Sequence, residues 1–259
     1  MIAAHRILEP ALPQQVAAGL CALAVMTKAP RAGKVKTRLT PPLTPEEAAA
    51  LNICFLRDTA SAICKATRAA PATGIAVYTP VGAEDAYRGI LPNAFSLLPQ
   101  RGQTFGERLI FAAEDLLRLG FDSVCLINSD SPTVPPDAFS EAAENLTRPG
   151  DRIVIGPSDD GGYYLIGLKR LHRRIFEEID WSTERVLEQT TERAAEIGLN
   201  VHFLPTWFDV DDREALQRLC QEMFEARRSD STDCAATSTR EYLAEIMKRE
   251  GRDRIWPDE

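Results

Sequence analysis

The sequence predicts an α/β fold, a three-layer α/β/α sandwich around a mixed, mostly parallel sheet. Three observations carry that expectation. Short apolar runs alternate along the chain with longer amphipathic ones. The short runs are rich in β-branched or aromatic residues and end in turn formers. The long runs carry helix caps and helix stops. Strand-helix alternation of this kind joins parallel neighbours through crossover helices, which then cover both faces of the sheet.

Several runs read as buried strands: residues 20–27 (LCALAVMT), 74–79 (GIAVYT), 123–128 (SVCLIN), 152–155 (RIVI), 163–167 (YYLIG) and 201–204 (VHFL). Each is short and largely apolar, as a strand buried on both faces should be. Residues 95–99 (FSLLP) give a weaker strand signal. Helices lie between them. Thr44, Pro45 and Glu47 combine an N-cap, a proline at the first helical position and a capping-box glutamate. A helix should run from there to about Arg68. A second runs from Thr104 to about Leu119, with Phe105, Leu109, Ala112 and Leu116 as its apolar stripe and Gly120 as its close. Residues 186–197 form a third, capped by Ser182 or Thr183 and stopped at Gly198. A fourth follows Asp211, with Leu216, Leu219, Cys220, Met223 and Phe224 on one face.

The length, 259 residues, suits one large α/β domain or two small ones, and no internal repeat is present. We read residues 1–19 as an N-terminal extension, residues 20–226 as the domain, and residues 227–259 as a linker with a C-terminal helical appendage. The linker is the polar, aperiodic stretch 227–239 (RRSDSTDCAATST). Residues 241–250 form a final helix, packed back on the domain or used in a homodimer.

Composition narrows the function. An apolar fraction of 44% supports a full core, and a net charge of -8 argues against a general nucleic-acid or membrane-surface binder. The six cysteines form no CxxC pair, so their spacing suggests neither zinc nor a redox dithiol. Reduced thiols and a cytoplasmic location are the simplest account. The three histidines are scattered, which disfavours a histidine metal cluster or a Ser-His-Asp triad. Residues 1–19 lack the apolar stretch of a signal peptide, and the run 20–26 is far too short to span a bilayer.

Four segments could carry chemistry. The loop 28–38 (KAPRAGKVKTR) holds five cations in eleven residues of an acidic protein. Most charge runs are solvated loops. This one follows the first strand, and open α/β sheets bind ligands at the carboxyl ends of their strands. Lysine and arginine neutralise phosphate there, and a glycine allows close backbone approach. The loop has neither P-loop nor GxGxxG order, which disfavours NAD. The second segment, Asn128-Ser129-Asp130-Ser131-Pro132, follows the strand 123–128. Beside a bound diphosphate, Asp130 is best used to hold Mg2+ or Mn2+; the same residues also make a good turn. The third, Asp159-Asp160-Gly161-Gly162, joins two strand-like runs. Its carboxylates could bind sugar hydroxyls or act as a base, and a structural hairpin turn explains it equally well. The fourth is Asp209-Val210-Asp211-Asp212. Asp211 or Asp212 should cap the following helix, and Asp209 or Asp211 could give a second metal carboxylate.

Taken in order, KAPRAGKVKTRL, QTFGERL, NSDSP, GPSDDGGYYLIGL, DWST and DVDD resemble an uncharacterised glycosyltransferase family of the radical-SAM/selenodomain-associated transferase type. That family lies in the nucleotide-diphospho-sugar transferase superfamily, with the GT-A fold, alongside guanylyltransferases of cofactor biosynthesis. The resemblance spans roughly residues 20–219. It implies that Lys28, Arg31, Gly33, Lys36 and Arg38 form the nucleotide-phosphate loop and that Gln103 and Gly106 line the nucleotide pocket. It implies Asp130 and Asp211 as metal ligands, with Asp160, Gly161 and Gly162 on the acceptor side. Asn128 departs from the pattern, which usually has a small residue there.

The expected activity is metal-dependent transfer of a sugar from a nucleoside diphosphate-sugar to a small-molecule acceptor, with Asp159 or Asp160 as the base. Transfer of a nucleotide from a nucleoside triphosphate, with release of pyrophosphate, is the alternative. A non-catalytic nucleotide-binding module is a third. Charge favours sugar transfer, because the segment 156–168 carries two carboxylates and no cation.

Overall fold

A computed structural model describes residues 4–12, 16–225 and 236–256. Its strands are β1 (Arg6–Ile7), β2 (Cys21–Lys28), β3 (Ala72–Thr79), β4 (Ser96–Pro99), β5 (Ser123–Ile127), β6 (Arg152–Pro157), β7 (Tyr163–Leu168) and β8 (Asn200–Phe203). They form one sheet in the order β1-β4-β3-β2-β5-β7-β6-β8. Neighbours pair in parallel, except that β7 runs antiparallel to both β5 and β6. The helices are α1 (Pro45–Ala69), α2 (Phe105–Arg118), α3 (Pro136–Thr147), α4 (Val186–Glu196), α5 (Arg213–Phe224) and α6 (Thr237–Glu250).

The expected three layers follow from the alternation within the central strand. Leu23 and Val25 of β2 point to one face, where Leu56 and Ile63 of α1 and Phe139 of α3 cover them. Ala22 and Ala24 point to the other, where Leu109 and Leu116 of α2 and Ala194 of α4 lie. Side chains two apart share a face, so one strand feeds two cores. A third cluster joins Leu51 and Phe55 of α1 to Leu216 and Leu219 of α5 and to Leu243 and Ile246 of α6. The last helix is therefore packed back on α1.

The caps are partly as expected. Thr44 and Glu47 form the capping box of α1, and Thr104 and Glu107 form another on α2. Asp212 caps α5 by accepting from the Ala215 N–H at 2.9 Å. The expected cap of α4 is corrected: Arg185 holds that position with no side-chain bond, and the hydroxyl of Thr183, two residues earlier, accepts from the Arg185 N–H. Two elements had no clear sequence signal. Helix α3 buries Ala138, Ala142 and Ala143 beside Phe139 and Leu146, and polar Ser140 and Asn145 on the same face blur its apolar stripe. Strand β1 has two residues, too few for a pattern, and extends the sheet beside β4. The final helix begins at Thr237, earlier than the expected 241. The expected linker falls largely on residues 227–235, outside the described residues. Cys21, Cys54, Cys64, Cys125 and Cys220 are free thiols, and Cys234 lies outside the described residues. Among the described residues no helix is long and apolar enough to cross a membrane.

Candidate functional site

Parallel strands that share a register end together. The carboxyl ends of β2, β3, β4 and β5 therefore meet the start of β7 at one edge of the sheet. There Lys28, Thr79, Gln100, Asn128 and Tyr163 border an open cleft of about 650 Å3.

The loop after β2 forms one wall. Lys28, Lys34, Lys36 and Arg38 line the cleft, whereas Arg31 and Gly33 do not. Gly33 has φ +69° with open space where a side chain would project, so its use here is conformational. Lys28, Lys34 and Arg38 are exposed and face solvent in the cleft. Lys36 differs. Its side chain is 4% exposed, and its ammonium lies 2.5 Å from an Asp130 oxygen and 2.9 Å from an Asp211 oxygen. It also donates to the Val210 carbonyl at 2.8 Å. Burial alone would lower its pKa; the two carboxylates outweigh burial and hold it above the ordinary lysine value.

The carboxylates sit at the ends of β5 and of the segment after β8. The Val210 N–H donates to the Asp130 carbonyl at 2.9 Å, which lays the two segments side by side and brings Asp130 next to Asp211. Asn128 fixes this corner. Its Oδ1 accepts from the Asp130 N–H at 3.2 Å, and its Nδ2 donates to Asp209 at 2.8 Å. Asp209 also accepts from the Ser131 hydroxyl and from the Ser158 hydroxyl at 3.0 Å. Burial pushes its pKa up to about 6, helped by the charges of Asp130 and Asp160 and opposed by the hydrogen bonds. Asp209 is thus the hub that joins three loops, and Asp211 is the residue that reaches Lys36.

The β6–β7 hairpin supplies the far wall. Asp160 and Gly162 line the cleft; Asp159 and Gly161 do not. Asp160 accepts from the Gly162 N–H at 2.9 Å. Asp159 instead forms an ion pair with Arg218 of α5, so its carboxylate is engaged outside the cleft. Gly161 has φ +86°, and a Cβ there would lie 2.1 Å from the Glu184 carbonyl oxygen. Its carbonyl accepts from the Leu187 N–H at 2.8 Å, so the hairpin props up the segment 181–187. From that segment Trp181, Ser182, Thr183 and Glu184 reach the cleft. Trp181 meets Phe105 edge to face at 5.1 Å between ring centroids. Gly106 does not line the cleft: it permits this packing, since a Cβ would stand 2.7 Å from the Trp181 Nε1. Gln103 is exposed outside the lining, with its N–H bound to Glu107.

Among the cleft residues that sequence reasoning did not single out are Asn52, Gln100, Arg108, Trp181 and Glu184. Arg108 and Trp181 stand inside the motifs QTFGERL and DWST, so they were within reach. Asn52 lies within α1 with no local signal.

Asp130 and Asp211 are the residues that could hold a divalent cation. Two carboxylates converging on one point suit Mg2+ or Mn2+ completed by phosphate oxygens and water. The point of convergence is where the Lys36 ammonium sits. Among the described residues no three acidic, histidine or cysteine side chains gather around a metal position.

The family described as "Uncharacterized protein conserved in bacteria (DUF2064)" matches residues 62–183. No functionally curated protein matches the chain. Among solved structures, a "putative nucleotide-diphospho-sugar transferase" from Desulfovibrio desulfuricans G20 is similar with a TM-score of 0.78 and 29% identity, covering 91% of this chain and 99% of that one. A CMP:2-keto-3-deoxy-manno-octonic acid synthetase, solved with CTP, is similar in fold with a TM-score of 0.50 and 10% identity, covering 80% of this chain and 99% of that one. The fold is that of the nucleotide-diphospho-sugar transferases.

Proposed function

We propose that this chain is a metal-dependent glycosyltransferase that uses a nucleoside diphosphate-sugar. One observation supports the reading above others. Three exposed cations, Lys28, Lys34 and Arg38, share a cleft with the carboxylates Asp130, Asp160 and Asp211. A nucleotide diphosphate needs the first set, and an acceptor hydroxyl needs a carboxylate from the second. The solved relative at 29% identity bears a name of the same class.

In this reading Lys28, Lys34 and Arg38 bind the diphosphate, and Arg31 and Gly33 shape their loop. Phe105 and Trp181 form an aromatic wall beside it. Asp160 takes the proton of the acceptor hydroxyl as that oxygen bonds to the anomeric carbon. The bond from that carbon to the diphosphate oxygen breaks, and the nucleoside diphosphate leaves. Mg2+ or Mn2+ held by Asp130 and Asp211 would neutralise charge on the leaving phosphates. Asp159, committed to Arg218, positions the hairpin and is not the base.

Nucleotidyl transfer has one observation in its favour. Arg108 brings a further cation into the cleft, where an acceptor phosphate could meet it. Product identity decides. The protein is incubated with Mn2+, candidate acceptors, and either labelled nucleoside triphosphates or nucleotide-sugars. Sugar transfer with release of a nucleoside diphosphate is expected. Pyrophosphate release from a triphosphate, with no turnover of any nucleotide-sugar, overturns the reading. Binding without turnover of either substrate leaves a nucleotide-binding module.

A further inference from the structure

We propose that Lys36 is the resident cation of the seat between Asp130 and Asp211, and that a divalent ion enters by displacing its ammonium toward Asn52. The inference rests on those two carboxylates as cation ligands, and not on which group the enzyme transfers.

The ammonium has three N–H donors, and three acceptors meet it: Asp130, Asp211 and the Val210 carbonyl. It is saturated where it lies, so in this arrangement it has no donor left for phosphate. Its backbone is held at φ +47°, the left-handed region that a non-glycine residue seldom occupies. The chain accepts that conformation, and the ammonium closes the seat. A divalent ion and an ammonium cannot share two carboxylates a few ångströms across, because like charges at that distance repel strongly in a partly buried site.

A displaced ammonium needs a second acceptor. Asn52 provides one. It is 5% exposed, it lines the same cleft, and its Oδ1 has no hydrogen-bond partner. It lies three residues before Phe55 on α1, whose ring centroid is 5.2 Å from the Lys36 Nζ. Residues three apart share a helix face, so Asn52 and Phe55 present one surface to the lysine. A buried acceptor left without a donor is costly, and a lysine that moves between two seats relieves that cost in one of them.

The test uses the full chain and Mn2+ alone, with free Mn2+ read by electron paramagnetic resonance. Lys36→Met should bind Mn2+ about tenfold more tightly than the parent or better, a coupling of ordinary size between competing ligands. Lys36→Arg keeps the charge and should bind as weakly as the parent. Asn52→Leu should weaken Mn2+ binding in the parent and change nothing in the Lys36→Met background, since the two residues act as a pair. Thermal melts confirm that each variant is folded. Should Lys36→Met fail to fold, the Arg and Leu variants carry the test. A Lys36→Met protein that binds Mn2+ no better than the parent overturns the inference. So does an Asn52→Leu effect of equal size in both backgrounds. Tight Mn2+ binding by the parent, lost in Asp130→Asn, would keep the metal reading and sink the displacement. Gain of Mn2+ binding without turnover of any nucleotide-sugar would keep the displacement and sink the glycosyltransferase reading.

Discussion

Lys36 and Asp130 form an ion pair at 2.5 Å, and through it the loop after β2 is fastened to the loop after β5. The cation-bearing loop and the carboxylate-bearing loop are thus one electrostatic unit. Asp130→Asn should act on both stability and binding. It leaves a buried ammonium with a neutral partner, while Asp211 remains. A loss on the order of 1–3 kcal/mol is expected in chemical denaturation, the range for a hydrogen bond to a charged group. Mn2+-dependent nucleotide binding, followed by calorimetry, should weaken as well. Parental stability together with parental affinity would remove Asp130 from the site.

The adjacent carboxylates Asp159 and Asp160 should behave differently. Asp160 lines the cleft, and Asp159 is paired with Arg218. If Asp160 takes the acceptor proton, Asp160→Asn should lower kcat by about 10^2–10^4, the usual contribution of a general base. Asp159→Asn should leave kcat within a few-fold of the parent and lower the melting temperature slightly. Steady-state turnover of a nucleotide-sugar measures both. Equal losses would mean that the hairpin as a whole, rather than one carboxylate, sets the rate.

This pair also marks how far the sequence could be read. Alternating apolar runs and caps such as Thr44 and Glu47 are local, so the layers and most of the helices were legible. The elements that escaped are α3, whose buried face mixes small, polar and apolar residues, and β1, which has only two residues. In the cleft, motif order led to Lys28, Arg38, Asp130, Asp160 and Asp211, which all line it. It could not tell Asp159 from Asp160, because their difference depends on Arg218 of α5. Nor could it show that Lys36 faces two carboxylates, a contact made between loops distant in sequence.

Glu47 gives a pH-dependent prediction away from the cleft. It takes part in the capping box of α1 and also pairs with Arg249 and Arg254 of the C-terminal segment. Burial would raise its pKa, but Arg254, the Thr44 N–H and Arg249 together hold it below the ordinary 4.5. A depressed carboxylate contributes stability above its unfolded pKa and loses it as pH falls through the folded value. Glu47→Gln should therefore be less stable than the parent at pH 7, by on the order of 1–3 kcal/mol. The difference should shrink as the pH drops below 4.5. Urea denaturation at several pH values tests this. A difference that stays constant with pH would assign the effect to packing alone.

Two glycines, both at positive φ, separate conformational need from steric need. Gly33 has φ +69° with nothing within 4 Å of an added Cβ, whereas Gly161 has φ +86° with the Glu184 carbonyl oxygen 2.1 Å away. Gly33→Ala should cost about 1–2 kcal/mol, the ordinary penalty of a left-handed L-residue. Gly161→Ala bears the same penalty and also drives a methyl into backbone that cannot rotate aside. A loss of about 3–5 kcal/mol is expected, in the range of severe core overpacking and strain. Relief of that clash requires the segment 181–187 to move off the hairpin, and Trp181 would move with it. Gly161→Ala should therefore change tryptophan emission in the native state, and Gly33→Ala should not. Chemical denaturation and fluorescence measure the two effects separately. If Gly161→Ala costs no more than Gly33→Ala and leaves the emission unchanged, the hairpin does not hold the Trp181 segment in place.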